Sequence, residues 1–266
     1  MKKLVCLLAI AALGAGTAAA YNENAYDGTP GSGVINSPHD MNIYTDLQRD
    51  DQGRVCAFCH TPHHAEDLGG EYNPLWSHTP FTGSGIPYES ATFNGDDGGF
   101  VDPLIGPSRL CMSCHDGVIA PDQHYGNLFP GTNIEGSFPY GSDAFGGIAV
   151  GLGGYFGNDH PIGFDVDTIG TDNGGIHADT FVDRQWYVGA DLSTVAIADG
   201  LYVPAPGGPR YFTCATCHDV HNLDNVRNDA STQYDAGVHR AGAMEPNYFV
   251  FAPQSGSQLC ISCHNK

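Results

Sequence analysis

Apolar residues along this 266-residue chain seldom keep a regular period. The one long apolar run, Leu4 to Leu13, follows Lys2 and Lys3 and precedes Ala18-Ala19-Ala20. That order reads as a secretory leader over residues 1–20, with cleavage expected before Tyr21. The run is too short to span a bilayer, and no later stretch approaches ~18 apolar residues. Further on, the period of a long amphipathic helix is absent. Tyr21 to Val34 is polar and turn-rich, an extended arm. Gly146 to Gly157 is apolar but glycine-rich, suited to lying against a flat apolar body. Two strand-like pieces, Trp186 to Ala190 and Leu201 to Ala205, precede the turn Pro206-Gly207-Gly208-Pro209, and Tyr211 to Cys214 follows it, so a small hairpin feeding the third cysteine unit is expected between Gln185 and Cys214.

Composition explains the weak pattern. With 36 glycines and 17 prolines, the chain is a poor builder of regular elements. Its net charge is −20, and two of the ten basic residues, Lys2 and Lys3, would leave with the leader. So acidic a surface cannot neutralise phosphates, which disfavours nucleic-acid binding and suits cationic partners or plain solubility.

The nine cysteines change the picture most. Cys6 lies in the leader; the other eight form four C-x-x-C-H units. These are Cys56-Cys59-His60, Cys111-Cys114-His115, Cys214-Cys217-His218 and Cys260-Cys263-His264. C-x-x-C-H is the attachment motif of c-type haem: two thiols become thioethers and the adjacent imidazole an axial iron ligand. Paired C-x-x-C units also build zinc sites, and exported chains also pair cysteines as disulfides. Neither alternative requires a histidine after every second cysteine. With 13 histidines in 266 residues, that coincidence has a chance of roughly 5% at each unit. Four covalent haems are therefore expected, with short helical turns at the units and the cofactors serving as the apolar bodies of the core. Without them the chain is expected to stay largely unfolded.

Four irons need four further ligands. His63 and His221 each stand three places beyond a motif histidine, in the first and third units only. The second and fourth units share Leu-Cys-x-Ser-Cys-His. The chain thus reads as two tandem pairs, roughly 21–125 and 126–266. On a short helix, positions i and i+3 share a face, so His63 and His221 are expected to reach neighbouring haems. His160 is held by Pro161, and His39 stands ahead of the first unit. These four are the expected distal ligands, with His64, His78 and His239 as weaker candidates and His124 and His177 as surface residues. Trp76 is expected to pack rather than relay electrons. Asp165 to Gly175 has the outline of half a calcium loop, but Ile169 and Ile176 occupy ligand positions, so calcium is not expected.

The units VCAFCHTPHHA, LCMSCHDG, CATCHDVHN and LCISCHNK, with NDHPIGF between them, resemble those of exported multihaem c-type cytochromes, above all tetrahaem members that polymerise into extracellular filaments in metal-reducing bacteria. The resemblance implies a fold of mostly coil with short helices and a few short strands wrapped around four haems. It implies bis-histidine ligation, electron transfer rather than enzymatic catalysis, and an extracellular or cell-surface location, with a soluble periplasmic carrier as the alternative. The partners it implies are further copies of the chain, with His39 serving a neighbouring subunit, together with redox cytochromes and metal oxides. A redox enzyme with one open iron is the less favoured reading.

Overall fold

The computed structural model describes residues 34–35, 39–43, 50, 52–63, 65–68, 72–90, 93, 102–116, 150–151, 154–169, 175–188, 191–221, 249–252 and 255–265. The leader 1–20, residues 21–33 of the arm, residues 146–149, His64 and His239 lie outside the described residues.

Regular structure gathers at the cysteine units. The first begins in a 3-10 turn, Val55–Phe58, and the others lie on α1 (Pro107–His115), α2 (Cys214–Cys217) and α3 (Gln258–Cys263). Pro107 opens α1 where its missing N–H costs nothing. Before it, Gly106 has φ +56°, and a Cβ there would meet the Tyr202 ring at 2.5 Å, so glycine is required. The helical turns of the first and third units stop at the second cysteine. His218 is already extended, with φ −116° and ψ 127°, and Pro62 disfavours helix at Thr61. The expected helical face joining His60 to His63, and His218 to His221, is therefore not formed.

Two antiparallel pairings fall within Gln185–Cys214, where a small hairpin is expected. β1 (Gln185–Val188) pairs antiparallel with β2 (Asp191–Ala196), not with Leu201–Ala205. Pro204 and Pro206 have no N–H to extend a ladder. Leu201–Ala205 instead turns back through Pro206–Pro209, and Tyr202 and Tyr211 exchange backbone bonds of 3.0 and 2.8 Å.

Among the described residues, two apolar clusters lie beneath these elements. The larger joins Phe164, Val166, Phe181, Trp186, Ile197, Leu201, Phe212, Phe251 and Ala252, with Cys217 and Cys263 packed at its edge. The smaller holds Leu104, Met112 and Phe156. Among the described residues, no helix is long and apolar enough to cross a membrane.

Candidate functional site

Each unit is anchored by the residue before its second cysteine. Phe58 is buried against the protein, as are Ser113, Thr216 and Ser262. Ser113 donates to the Leu110 carbonyl and accepts from the Trp76 indole N–H at 2.8 Å. Thr216 donates to the Gly200 carbonyl at 3.0 Å and accepts from its own N-cap amide, Thr213, at 2.9 Å. Ser262 donates to the Gln258 carbonyl at 2.8 Å and accepts from the Tyr187 amide at 2.9 Å. One face of every unit is thus fixed inward.

The eight cysteines of the four units are free thiols; Cys56 and Cys260 are exposed and the other six partly so. Burial pushes the Cys59 thiol up to about 11 and that of Cys263 up to about 12, and it raises Cys217 as well. Ser108 accepts from the Cys214 amide at 3.1 Å, tying α2 to α1. Across that contact the Cys111 thiol bonds to Cys214, which raises the pKa of Cys111 and lowers that of Cys214. The second and third units are therefore in side-chain contact.

The histidines come together in twos. His60 lies 6.1 Å from His221 between ring centroids, His115 lies 6.1 Å from His39, and His264 lies 6.2 Å from His160. Each pair joins a motif histidine to one from another segment. Two imidazoles bound on opposite sides of one metal, each at ~2.0 Å through nitrogen, have ring centroids roughly 6 Å apart. The separations of 6.1 to 6.2 Å match that spacing. Among the described residues, no three His, Cys, Asp or Glu side chains converge on one point.

Ring nitrogens support the same use. His60 Nδ1 lies 2.7 Å from the Pro74 carbonyl, His264 Nδ1 3.0 Å from that of Gly175, and His160 Nδ1 3.0 Å from that of Pro161. A carbonyl can only accept, so in each case Nδ1 carries the proton and Nε2 keeps its lone pair for a metal. The Trp76 ring stands edge-on to His60 at 5.9 Å. His39 stacks on Phe249 at 4.8 Å and 5°. Burial pushes the pKa of His39 down to about 3, with His115, His218 and His221 adding to the fall. His160 is open to solvent on one side. Burial against the protein still lowers its pKa, opposed by the Pro161 carbonyl and helped by His264.

Of the expected distal ligands, His39, His160 and His221 each face a motif histidine. His39, offered by its sequence position to a neighbouring subunit, faces His115 of its own chain. His63 is exposed, its carbonyl accepting from the Thr61 hydroxyl. His78 is buried beside Trp76. His218, at the end of α2, is exposed and bridged through its backbone to Val250.

The supporting residues carried little sequence signal. Pro74, Gly175 and Phe249 act through a carbonyl or a ring face that no motif marks. Gly175 belongs to the calcium-like segment, and there its carbonyl serves the terminal unit, accepting from His264 and from the Asn265 amide at 3.1 Å. Asp167, a would-be calcium ligand, is bonded to Arg210 instead. No protein-family model matches the chain, and no curated protein matches it.

Proposed function

We propose that this chain is an exported electron-transfer protein carrying four covalent c-type haems. The observation that carries the reading is the set of three histidine pairs at 6.1–6.2 Å, each joining one motif histidine to a histidine elsewhere. The donors present fit the group: two sulfurs beside each motif histidine, Nδ1 bonds that leave Nε2 of His60 and His264 for iron, and burial that favours neutral sulfur at Cys59, Cys217 and Cys263. Haem supplies a one-electron ferric–ferrous couple when bound.

The chain's own residues then divide the work. Cys56 and Cys59, Cys111 and Cys114, Cys214 and Cys217, and Cys260 and Cys263 would hold the four groups covalently. His60 with His221, His115 with His39, and His264 with His160 would supply the iron ligands. By the same exchange that gives His221 to the first unit, His63 is assigned to His218. Closed coordination on both sides leaves no open site, which suits electron transfer over substrate activation. The contact between Cys111 and Cys214 makes the second and third units neighbours, while exposed Cys56 and Cys260 leave the outer units open to partners.

The resemblance favours a filament of stacked copies acting as an extracellular conduit. One observation favours a second reading, a soluble periplasmic carrier: His39 is engaged within its own chain, so no ligand need be lent to a neighbour. Haem assay with optical and paramagnetic-resonance spectra tests the common core. Four haems per chain, all low-spin, are expected; a high-spin ferric signal in the wild type would defeat full bis-histidine ligation. Electron microscopy of shear-released material separates the two readings, because filaments favour the conduit and a strictly monomeric periplasmic protein excludes it.

A further inference from the structure

The three histidine pairs differ in how their rings face each other. His60 and His221 are nearly parallel at 22°, His160 and His264 are tilted by 69°, and His39 and His115 are nearly perpendicular at 82°. When two imidazoles share an iron, that angle sets how the metal's π-type orbitals split. Near-parallel planes split them widely and give a rhombic low-spin signal. Near-perpendicular planes leave them almost degenerate and give a low-spin signal of very large anisotropy. Axial-ligand orientation is therefore a lever the protein holds through the groups around the ligand.

For His60, His160 and His264 that group is a backbone carbonyl. His39 is flanked by a side chain, the ring of Phe249, stacked at 4.8 Å and 5°. Phe249 is 3% exposed and has φ +56°, a left-handed conformation costly for any residue with a Cβ. Such strain persists where the surroundings impose it. Here they do: the Phe249 carbonyl accepts from the Asp219 amide at 3.0 Å, the Phe251 amide donates to the Cys217 carbonyl at 3.1 Å, and Val250 bridges to His218. The third unit thus clamps the strand that presents Phe249 to His39, which faces the second unit.

We propose that Phe249 is a positioning residue that holds His39 perpendicular to His115, so that one chain carries irons of two kinds, near-parallel at His60/His221 and near-perpendicular at His39/His115. This rests on the four-haem reading above. Its consequence is a difference in potential between sites within one protein, set by ring orientation rather than by ligand identity.

Paramagnetic resonance of the loaded, oxidised protein tests it. The wild type is expected to show rhombic and large-anisotropy low-spin signals together, and Phe249→Leu should convert one of the large-anisotropy signals to rhombic at unchanged haem content. Phe249→Tyr, which keeps the flat ring, should retain the wild-type spectrum. A tetrahaem, wholly low-spin protein with rhombic signals alone would overturn this inference and leave the four-haem reading standing. Missing haems or a high-spin iron in the wild type would overturn both. Should Phe249→Leu fail to fold, proton Overhauser contacts between the Phe249 and His39 rings in the diamagnetic reduced wild type decide the matter. Their presence supports the positioning role, and their absence rejects it.

Discussion

The regions around the first and the last cysteine units are held by different forces. Near the first, directional polar bonds dominate. Asp50 accepts from the Gln52 amide at 3.0 Å, the Arg54 amide at 2.8 Å and the Arg54 guanidinium, while its own amide donates to Asn42 at 2.8 Å. Trp76 and Ser113 join the first unit's strap to α1, and Arg109 binds Asp102 and the Phe81 carbonyl. Around the last two units an aromatic core does the holding: Phe164 stacks on Phe212 at 5.3 Å, Trp186 stacks on Phe251 at 5.8 Å, and Phe181 stands edge-on to Phe212. Apolar burial is non-directional and scales with area, whereas the polar lattice works only while each partner stays in place. The second region brings much of its own apolar mass. The first is expected to depend more on the haem proposed for it.

The largest expected effect comes from breaking the aromatic core. Phe212→Ala removes a ring packed between Phe164 and Phe181 and 5.5 Å from His160. It should destabilise the protein by about 3–5 kcal/mol, read from denaturant unfolding. Because Phe212 also backs His160, the iron proposed for the fourth unit should gain high-spin character while the spectrum of the haem proposed for the first stays as it was. A loss below about 1 kcal/mol would mean that the second region is held, like the first, by something other than its aromatic packing.

This contrast was only half legible in the sequence. The four units were readable as motifs because their spacing and residue types are explicit in the chain, and the haem they are proposed to carry rests on that motif. His160 and His221 stood out through Pro161 and through the three-residue offset. The helical reason for that offset does not hold, since the turns end at Cys59 and Cys217 and His221 reaches His60 by another path. Tertiary contacts decided the rest. The aromatic core draws on Phe164, Trp186, Phe212 and Phe251, spread over almost ninety positions with no shared period. The lattice around Asp50 depends on backbone amides, which are the same at every residue.

A middle-sized effect tests the polar side. Burial alone would raise the pKa of Asp50; the Arg54 guanidinium and amide, with the Gln52 amide, outweigh it and hold the pKa at about 2, below the ordinary 3.8. A depressed carboxylate pKa adds stability above the unfolded value that disappears as pH falls through the folded one. The contribution, about 2 kcal/mol, should therefore be intact above pH ~4 and gone near pH ~2. Urea unfolding of the wild type and Asp50→Asn across that window should show the gap between them closing. A gap constant with pH would assign the effect to shape rather than charge. Asp167, also paired with arginine but 46% exposed, should contribute much less.

The smallest effect bears most directly on how the two regions use the same hydroxyl. Ser113 and Ser262 occupy equivalent places in their units, both buried, and both donate to a carbonyl one helical turn back. Their incoming bonds differ, since Ser113 accepts from an indole and Ser262 from the Tyr187 backbone amide. Trp76→Phe keeps an aromatic ring near His60 but removes the N–H and part of the indole, so it should cost about 1–2 kcal/mol. Combined with Ser113→Ala the losses should fall short of additive, because both changes delete the same bond. Ser262→Ala should cost more than Ser113→Ala, about 1–3 kcal/mol, since it strands a β1 amide that belongs to the backbone. Chemical denaturation of the four variants measures all of this. Equal costs for the two serines would show that the incoming bond is immaterial, and that the hydroxyl's bond back to its own helix is what fixes each unit.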